Sequence, residues 1–169
     1  MTEDDQRTAA FERFFLAEHP KLIAIALGWT GDREAAREAA QEALVRAHRD
    51  WVRVVTLDRP GAWARRVLIN LLIDDRRRAR RDRDLTARLG APGEVAAPVA
   101  DDHRWWAAVR ALPDRQRAAV TLHYLEDLPI ADVAAILDIA PGTVKSTLSQ
   151  ARDNLRAALT EGQAKEDER

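Results

Sequence analysis

Two clusters of polar side chains in this 169-residue chain have the types and spacing to do chemistry. Thr143, Lys145, Ser146, Ser149, Gln150 and Arg152 follow Pro141 closely, and after it no carboxylate intrudes before Asp153. Hydroxyls, an amide, a lysine and an arginine at that spacing can pair with base edges and with phosphate oxygens. The second cluster is Asn70, Asp74 and the arginines Arg76, Arg77, Arg78, Arg80, Arg81 and Arg83, with Arg59 ahead of them. Like charges at that density repel unless a counter-charge is supplied. Phosphates supply it, and each neutralised phosphate releases a counterion. An asparagine can read a base edge, and arginine surfaces can support an unstacked base. The plainer alternatives are a helical hairpin with a solvated face, a solvated helix end, and an Asn70 buried as a packing amide.

Elements must hold these residues in place. Ile130 to Leu137 has Val133, Ala134 and Leu137 on one face; after Pro141, Val144, Leu148, Ala151, Leu155 and Leu159 form a 3.6-residue stripe. Between them lies Asp138-Ile139-Ala140-Pro141. Pro141 suits a first helical turn, and Asp138 tolerates a left-handed conformation. A short helix, a turn and a longer helix make a helix-turn-helix, whose second helix enters the DNA major groove by its start.

The hydrophobic share of 46% supports a folded core. The formal charge of −1 argues against a nucleic-acid binder only until its distribution is seen, with acidic ends and an arginine-rich middle. With no cysteine there is no disulfide and no thiolate metal site, and His19, His48, His103 and His123 lack ligand spacing. No cofactor or metal is expected. No apolar run reaches the roughly 18 residues of a membrane span, and the first residues lack a signal-peptide pattern. A soluble cytoplasmic protein without membrane insertion is expected.

In chain order, Phe11, Phe14 and Phe15 begin an amphipathic helix, which Pro20 is expected to interrupt before it resumes to Trp29. Asp32 caps a helix from Arg33 to about Val52, buried along Ala36, Ala39, Ala40, Ala43, Leu44, Ala47 and Trp51. Its other face shows Glu38, Gln41, Glu42 and Arg49. Residues 54–60 form a loop. Pro60 opens a helix that is apolar on more than one side, central to a bundle, and continuous with the arginine run. Residues 85–100 read as a flexible linker. Asp101 or Asp102 caps a helix with Trp105, Val109 and Leu112 inward. The adjacent Trp105 and Trp106 cannot share a face, so one belongs to the core and the other meets the linker, the first domain or a partner. Another helix runs from Pro113 to about Leu125, and residues 161–169 form a frayed polar tail. The expected fold is all-α: two small helical domains joined by a flexible linker, the second with the helix-turn-helix.

The order of these pieces resembles the extracytoplasmic-function (ECF) sigma factors of bacterial RNA polymerase. TGDREAAREAAQEALVRAHRDW is similar to the family's clamp-docking helix. RPGAWARRVLINLLIDDRRRARR is similar to its promoter-melting segment, and ALPDRQRAAVTLHYLEDLPIADVAAILDIAPGTVKSTLSQAR to its promoter-reading domain. Thr147 and Gln150 stand where the family often has arginine, and Asp138 where it usually has glycine. The resemblance implies that residues 1–84 are sigma region 2, which binds core polymerase and recognises and melts the minus-ten DNA. Residues 101–160 would be region 4, reading the minus-thirty-five duplex. It implies core binding through Glu38, Gln41, Glu42 and Arg49. Minus-ten contacts fall to Arg59, Asn70, Asp74, Arg76, Arg77 and Arg80, and minus-thirty-five contacts to Thr143, Lys145, Ser146, Ser149, Gln150 and Arg152. The implied partners are the polymerase core at its clamp and flap, promoter DNA, and an anti-sigma factor.

The sequence shows no phosphate loop, nucleophile constellation or dinucleotide fingerprint, so a non-enzymatic subunit is expected. The reading from another class is a self-sufficient helix-turn-helix regulator whose first domain dimerises or senses a ligand. Such a regulator has no need of an arginine-rich melting helix or of a linker between two DNA contacts.

Overall fold

The computed structural model describes residues 3–88 and 103–167. Among the described residues every regular element is helical. Helix α1 (Glu3–Thr30) packs along α2 (Arg33–Arg49), and the short α3 (Trp51–Val54) turns the chain toward α4 (Pro60–Arg88). The second unit holds α5 (His103–Ala111), α6 (Asp114–Val120), a π-helical turn (Thr121–Leu125), α7 (Ile130–Leu137) and α8 (Pro141–Asp167).

Local chemistry sets several boundaries as expected. The Asp32 carboxylate accepts from the Glu34 and Ala35 amides at 2.8 and 2.9 Å, satisfying two orphan donors of α2. The expected alanine stripe of α2 is buried, with Leu44. Small side chains there let α1 and α4 approach closely. Asp138 closes α7 at φ 57°, ψ 48°, and the Ile139 amide returns to the Ala134 carbonyl at 3.1 Å.

Other boundaries differ. Pro20 does not interrupt α1, which runs unbroken through it. A mid-helix proline costs about 3 kcal/mol, but packing anchors both sides of it: Phe11 and Phe14 lie against Trp51, while Leu22 and Ile25 are wholly buried. Helix α2 stops at Arg49 rather than near Val52, because Asp50 leaves helical geometry at ψ 17°. The helix from Asp114 widens into a π turn, in which the Glu126 amide bonds the Thr121 carbonyl five residues back. Helix α4 continues to Arg88, so the first residues of the expected linker are helical; the rest of it, with Asp101 and Asp102, lies outside the described residues. The chain expected to fray after Glu161 is helical to Asp167.

The two units share one continuous core, as α1 packs on α5 and the π turn, and α4 packs on α7. Of the paired tryptophans, both are half-buried against this core, and Trp106 is the one that meets the first unit. A Cβ on Gly28 of α1 would lie 2.8 Å from its ring, so only glycine lets the ring approach this far.

Candidate nucleic-acid interface

The apolar stripe of α8 fixes one face inward: Val144, Leu148, Ala151 and Leu155 are all buried. Thr143, Lys145, Ser146, Ser149, Gln150 and Arg152 are therefore turned to solvent. Space at the helix start is open, with nothing within 4 Å of a Cβ placed on Gly142. The Ser146 hydroxyl donates to the Thr143 carbonyl at 3.0 Å, which leaves its oxygen to accept. Arg152 donates to the Tyr124 hydroxyl of the π-helical turn at 3.5 Å. Six donors and acceptors on one exposed helical face, set after a tight turn, can enter a major groove and bond base edges.

The second cluster lies on α4. Ile69, Leu71 and Leu72 are buried while Asn70 is exposed, so Asn70 is not a buried packing amide. It borders a cavity of about 450 Å³ with Arg66, Ile73, Leu137, Asp138 and Ile139. Asp74, Arg77 and Arg80 face solvent. Arg59 and Arg76, expected at the minus-ten DNA, are each engaged by a carboxylate of the second unit. Arg59 pairs with Asp132, and Arg76 pairs with Asp114 and donates to the Leu112 carbonyl at 3.1 Å. Asp75 pairs with Arg78 one turn on, at 2.6 Å.

On α2, Glu38, Gln41 and Arg49 are exposed, and Glu42 is held by Arg46 at 2.8 Å. Beside them α1 and α2 enclose an apolar groove of about 520 Å³ lined by Phe11, Phe15, His19, Gln41, Val45 and His48.

Sequence reading missed the charged residues at the seam between the units. Arg65 is buried with its guanidinium 2.6 Å from Glu18 and 2.9 Å from Glu126. Arg66 donates to the Ala135 and Ile136 carbonyls at the end of α7, where a cation suits the helix dipole. Arg117, only 4% exposed, lies 5.0 Å over the Trp29 ring. Burial, followed by the field of Arg76, lowers its pKa from the ordinary arginine range to about 10, with Asp114 acting in the opposite direction. Two adjacent arginines in the apolar run WARRVLINLL were the available signal.

A family model for sigma-70 region 2 matches residues 14–82, and one for sigma-70 region 4 matches residues 102–155. Over 157 residues the chain is 33% identical to the ECF RNA polymerase sigma factor SigM of Mycobacterium tuberculosis, covering 89% of this chain and 77% of that protein. The chain belongs to the ECF sigma factors of RNA polymerase. It is a sigma subunit that directs transcription initiation, which sets aside the self-sufficient regulator. SigL of the same organism is 34% identical over 167 residues, covering 90% of this sigma factor and 91% of SigL. Among solved structures it resembles the sigma factor RpoE from Bartonella quintana, determined in complex with the anti-sigma factor NepR. The TM-score is 0.74 at 26% identity, over 89% of this chain and 97% of that one. Among the described residues of the sigma factor no helix is long and apolar enough to cross a membrane, and no acidic or histidine cluster could hold a metal.

Proposed function

We propose that the two units of this sigma factor divide promoter recognition between them. Residues 1–84 hold core polymerase, through Glu38, Gln41, Glu42 and Arg49 against its clamp, and open the minus-ten DNA with Asn70, Arg77 and Arg80. Residues 101–160 meet the flap and read the minus-thirty-five duplex through Lys145, Ser149, Gln150 and their neighbours on α8. An anti-sigma factor is the further partner, in line with the named partner of the Bartonella relative. The work takes place in the cytoplasm, where polymerase and promoters are.

One observation carries the melting role: Asn70 is exposed on a helix whose adjacent residues are buried, with arginines continuing beyond it on the same helix. Opening a duplex requires unstacking at least one base, at a cost of a few kcal/mol, and catching it. An amide on a rigid helix beside cations suits that task. Run-off transcription with core polymerase over genomic fragments identifies a promoter. On it, Asn70→Ala retains core binding and fold but opens the duplex poorly, read by permanganate footprinting. The defect shrinks on a template already mismatched at the captured position. Normal opening of every promoter by Asn70→Ala refutes the assignment and moves base capture to the 54–59 loop.

A further inference from the structure

The groove between α1 and α2 belongs to neither DNA-facing cluster. One wall is a stripe of α1 in which Phe11, Phe15, His19 and Ile23 recur every fourth residue and so share one helical face. The other wall is a stripe of α2 that starts at Arg37, continues through Gln41 and Val45, and ends at His48. His48 lies against Phe11 at 4.7 Å, and the His19 ring stacks on Phe15 at 4.9 Å. Arg37 and His48 are roughly 16 Å apart along α2, at about 1.5 Å per residue. The groove is thus an elongated apolar trough of about 520 Å³ with a cation at one end. That volume falls within the range of small-molecule sites, which combine apolar walls with a few placed polar groups.

The charges and the width select the occupant. Among the described residues no carboxylate lines the trough. Arg37 is exposed and makes no ion pair or hydrogen bond among them, and the two imidazoles make ring contacts but no hydrogen bond. The acids of α2 stand outside: Glu38 is exposed on the flank, and Glu42 is held by Arg46 at 2.8 Å. An occupant must therefore bring an apolar body that ends in an anion. A volume of about 520 Å³ over roughly 16 Å leaves a cross-section of roughly 30 Å². A helix about 10 Å across needs roughly 80 Å², so a partner helix does not enter, whereas an unbranched hydrocarbon chain does.

We propose that this trough binds a medium-chain fatty acid, with its carboxylate on Arg37 and its tail laid along Val45 and Phe15 toward Phe11. The Arg37 guanidinium donates to both carboxylate oxygens, and the Gln41 amide, one turn on, donates beside it. The tail covers Phe15 and Val45, which are 36% and 39% exposed. Gln41 also belongs to the face proposed to meet the polymerase clamp, so a bound acid and core exclude one another. That consequence, unlike the site itself, rests on the core face proposed above.

The full chain is titrated with decanoate, decanol and decyltrimethylammonium by calorimetry, and the site is located by amide shifts in NMR spectra. Decanoate should bind in preference to the other two, with shifts concentrated on the two stripes. Arg37→Gln should weaken decanoate about tenfold, Arg37→Glu should reverse the preference toward the cation, and Val45→Glu should remove decanoate binding. All three substitutions fall on exposed positions, and an unchanged Tm checks the fold. Equal binding of all three amphiphiles marks an adventitious additive only and overturns the site, as does decanoate binding that ignores Arg37→Glu or shifts that fall elsewhere. Co-purification with core, repeated with saturating decanoate, should fall. Co-purification that needs Glu38 and Gln41 but ignores decanoate overturns the competition. Failure of the core face has a different signature: co-purification is indifferent to decanoate and to Glu38→Arg/Gln41→Ala alike, while Arg37-dependent binding stands.

Discussion

Replacing Arg117 by methionine should stabilise this protein. The fall of the Arg117 pKa from the ordinary arginine range to about 10 corresponds to roughly 3 kcal/mol of unfavourable burial at about 1.4 kcal/mol per tenfold change in proton affinity. The cation over Trp29 at 5.0 Å returns about 1–2 kcal/mol. Its bonds to the Trp29 and Leu112 carbonyls, at 3.5 and 3.4 Å, are long and contribute little. Methionine, whose last atom corresponds to the arginine Nε, keeps the buried apolar stem and removes the charge. The net gain is about 1–2 kcal/mol, read by urea denaturation, or a rise in Tm of roughly 2–8 °C for a chain of this size. The pH dependence checks the cause. The folded pKa is depressed, so the native state gives up this proton first and the cost is constant below about pH 10. As pH rises above about 10 toward the ordinary arginine range the unfolded state holds more protons and the cost fades. The advantage of Arg117→Met should therefore be flat near neutrality and narrow above about pH 10. A loss of 1 kcal/mol or more in Arg117→Met, or an advantage that widens with pH, refutes the reasoning.

Gly28→Ala drives a methyl toward the Trp106 ring, 2.8 Å from the ideal Cβ position; overpacking of this kind should cost about 1–3 kcal/mol in denaturation. Lys145→Ala should lose about 1–3 kcal/mol of duplex affinity and relax preference at one base if Lys145 reads guanine. If it touches only phosphate, all sequences weaken alike and the salt slope falls by roughly one. The second unit read alone should be a weak binder, since Thr147 and Gln150 add no charge; nanomolar binding by residues 101–169 at physiological salt counts against this. Glu38→Arg/Gln41→Ala should reduce co-purification with core polymerase, and full retention with an intact fold removes this face from the interface.

The helix-turn-helix was legible because its signals are local. Asp138 tolerates the left-handed turn, Pro141 opens α8, and the 3.6-residue stripe decides which face of α8 is buried. The Asp32 cap is equally local, formed with amides two and three residues ahead. Pro20 misled because a local rule was overridden by packing through Trp51, which lies far along the chain. The pairing of the arginines was not legible either. A run of cations shows that counter-charge is needed, but not whether phosphate or a carboxylate supplies it.

The sequence by itself determined the helical class, most buried faces and the solvent-facing polar side of α8, because each depends on neighbours within a turn or two. Tertiary structure alone decided which charges meet. Arg65 finds Glu18 and Glu126 across 47 and 61 residues, and Arg59 finds Asp132 across 73. No periodicity encodes such distances. They arise because the apolar faces of α1, α4 and α7 pack together, and the charges at the rim of those contacts settle on the partners within reach.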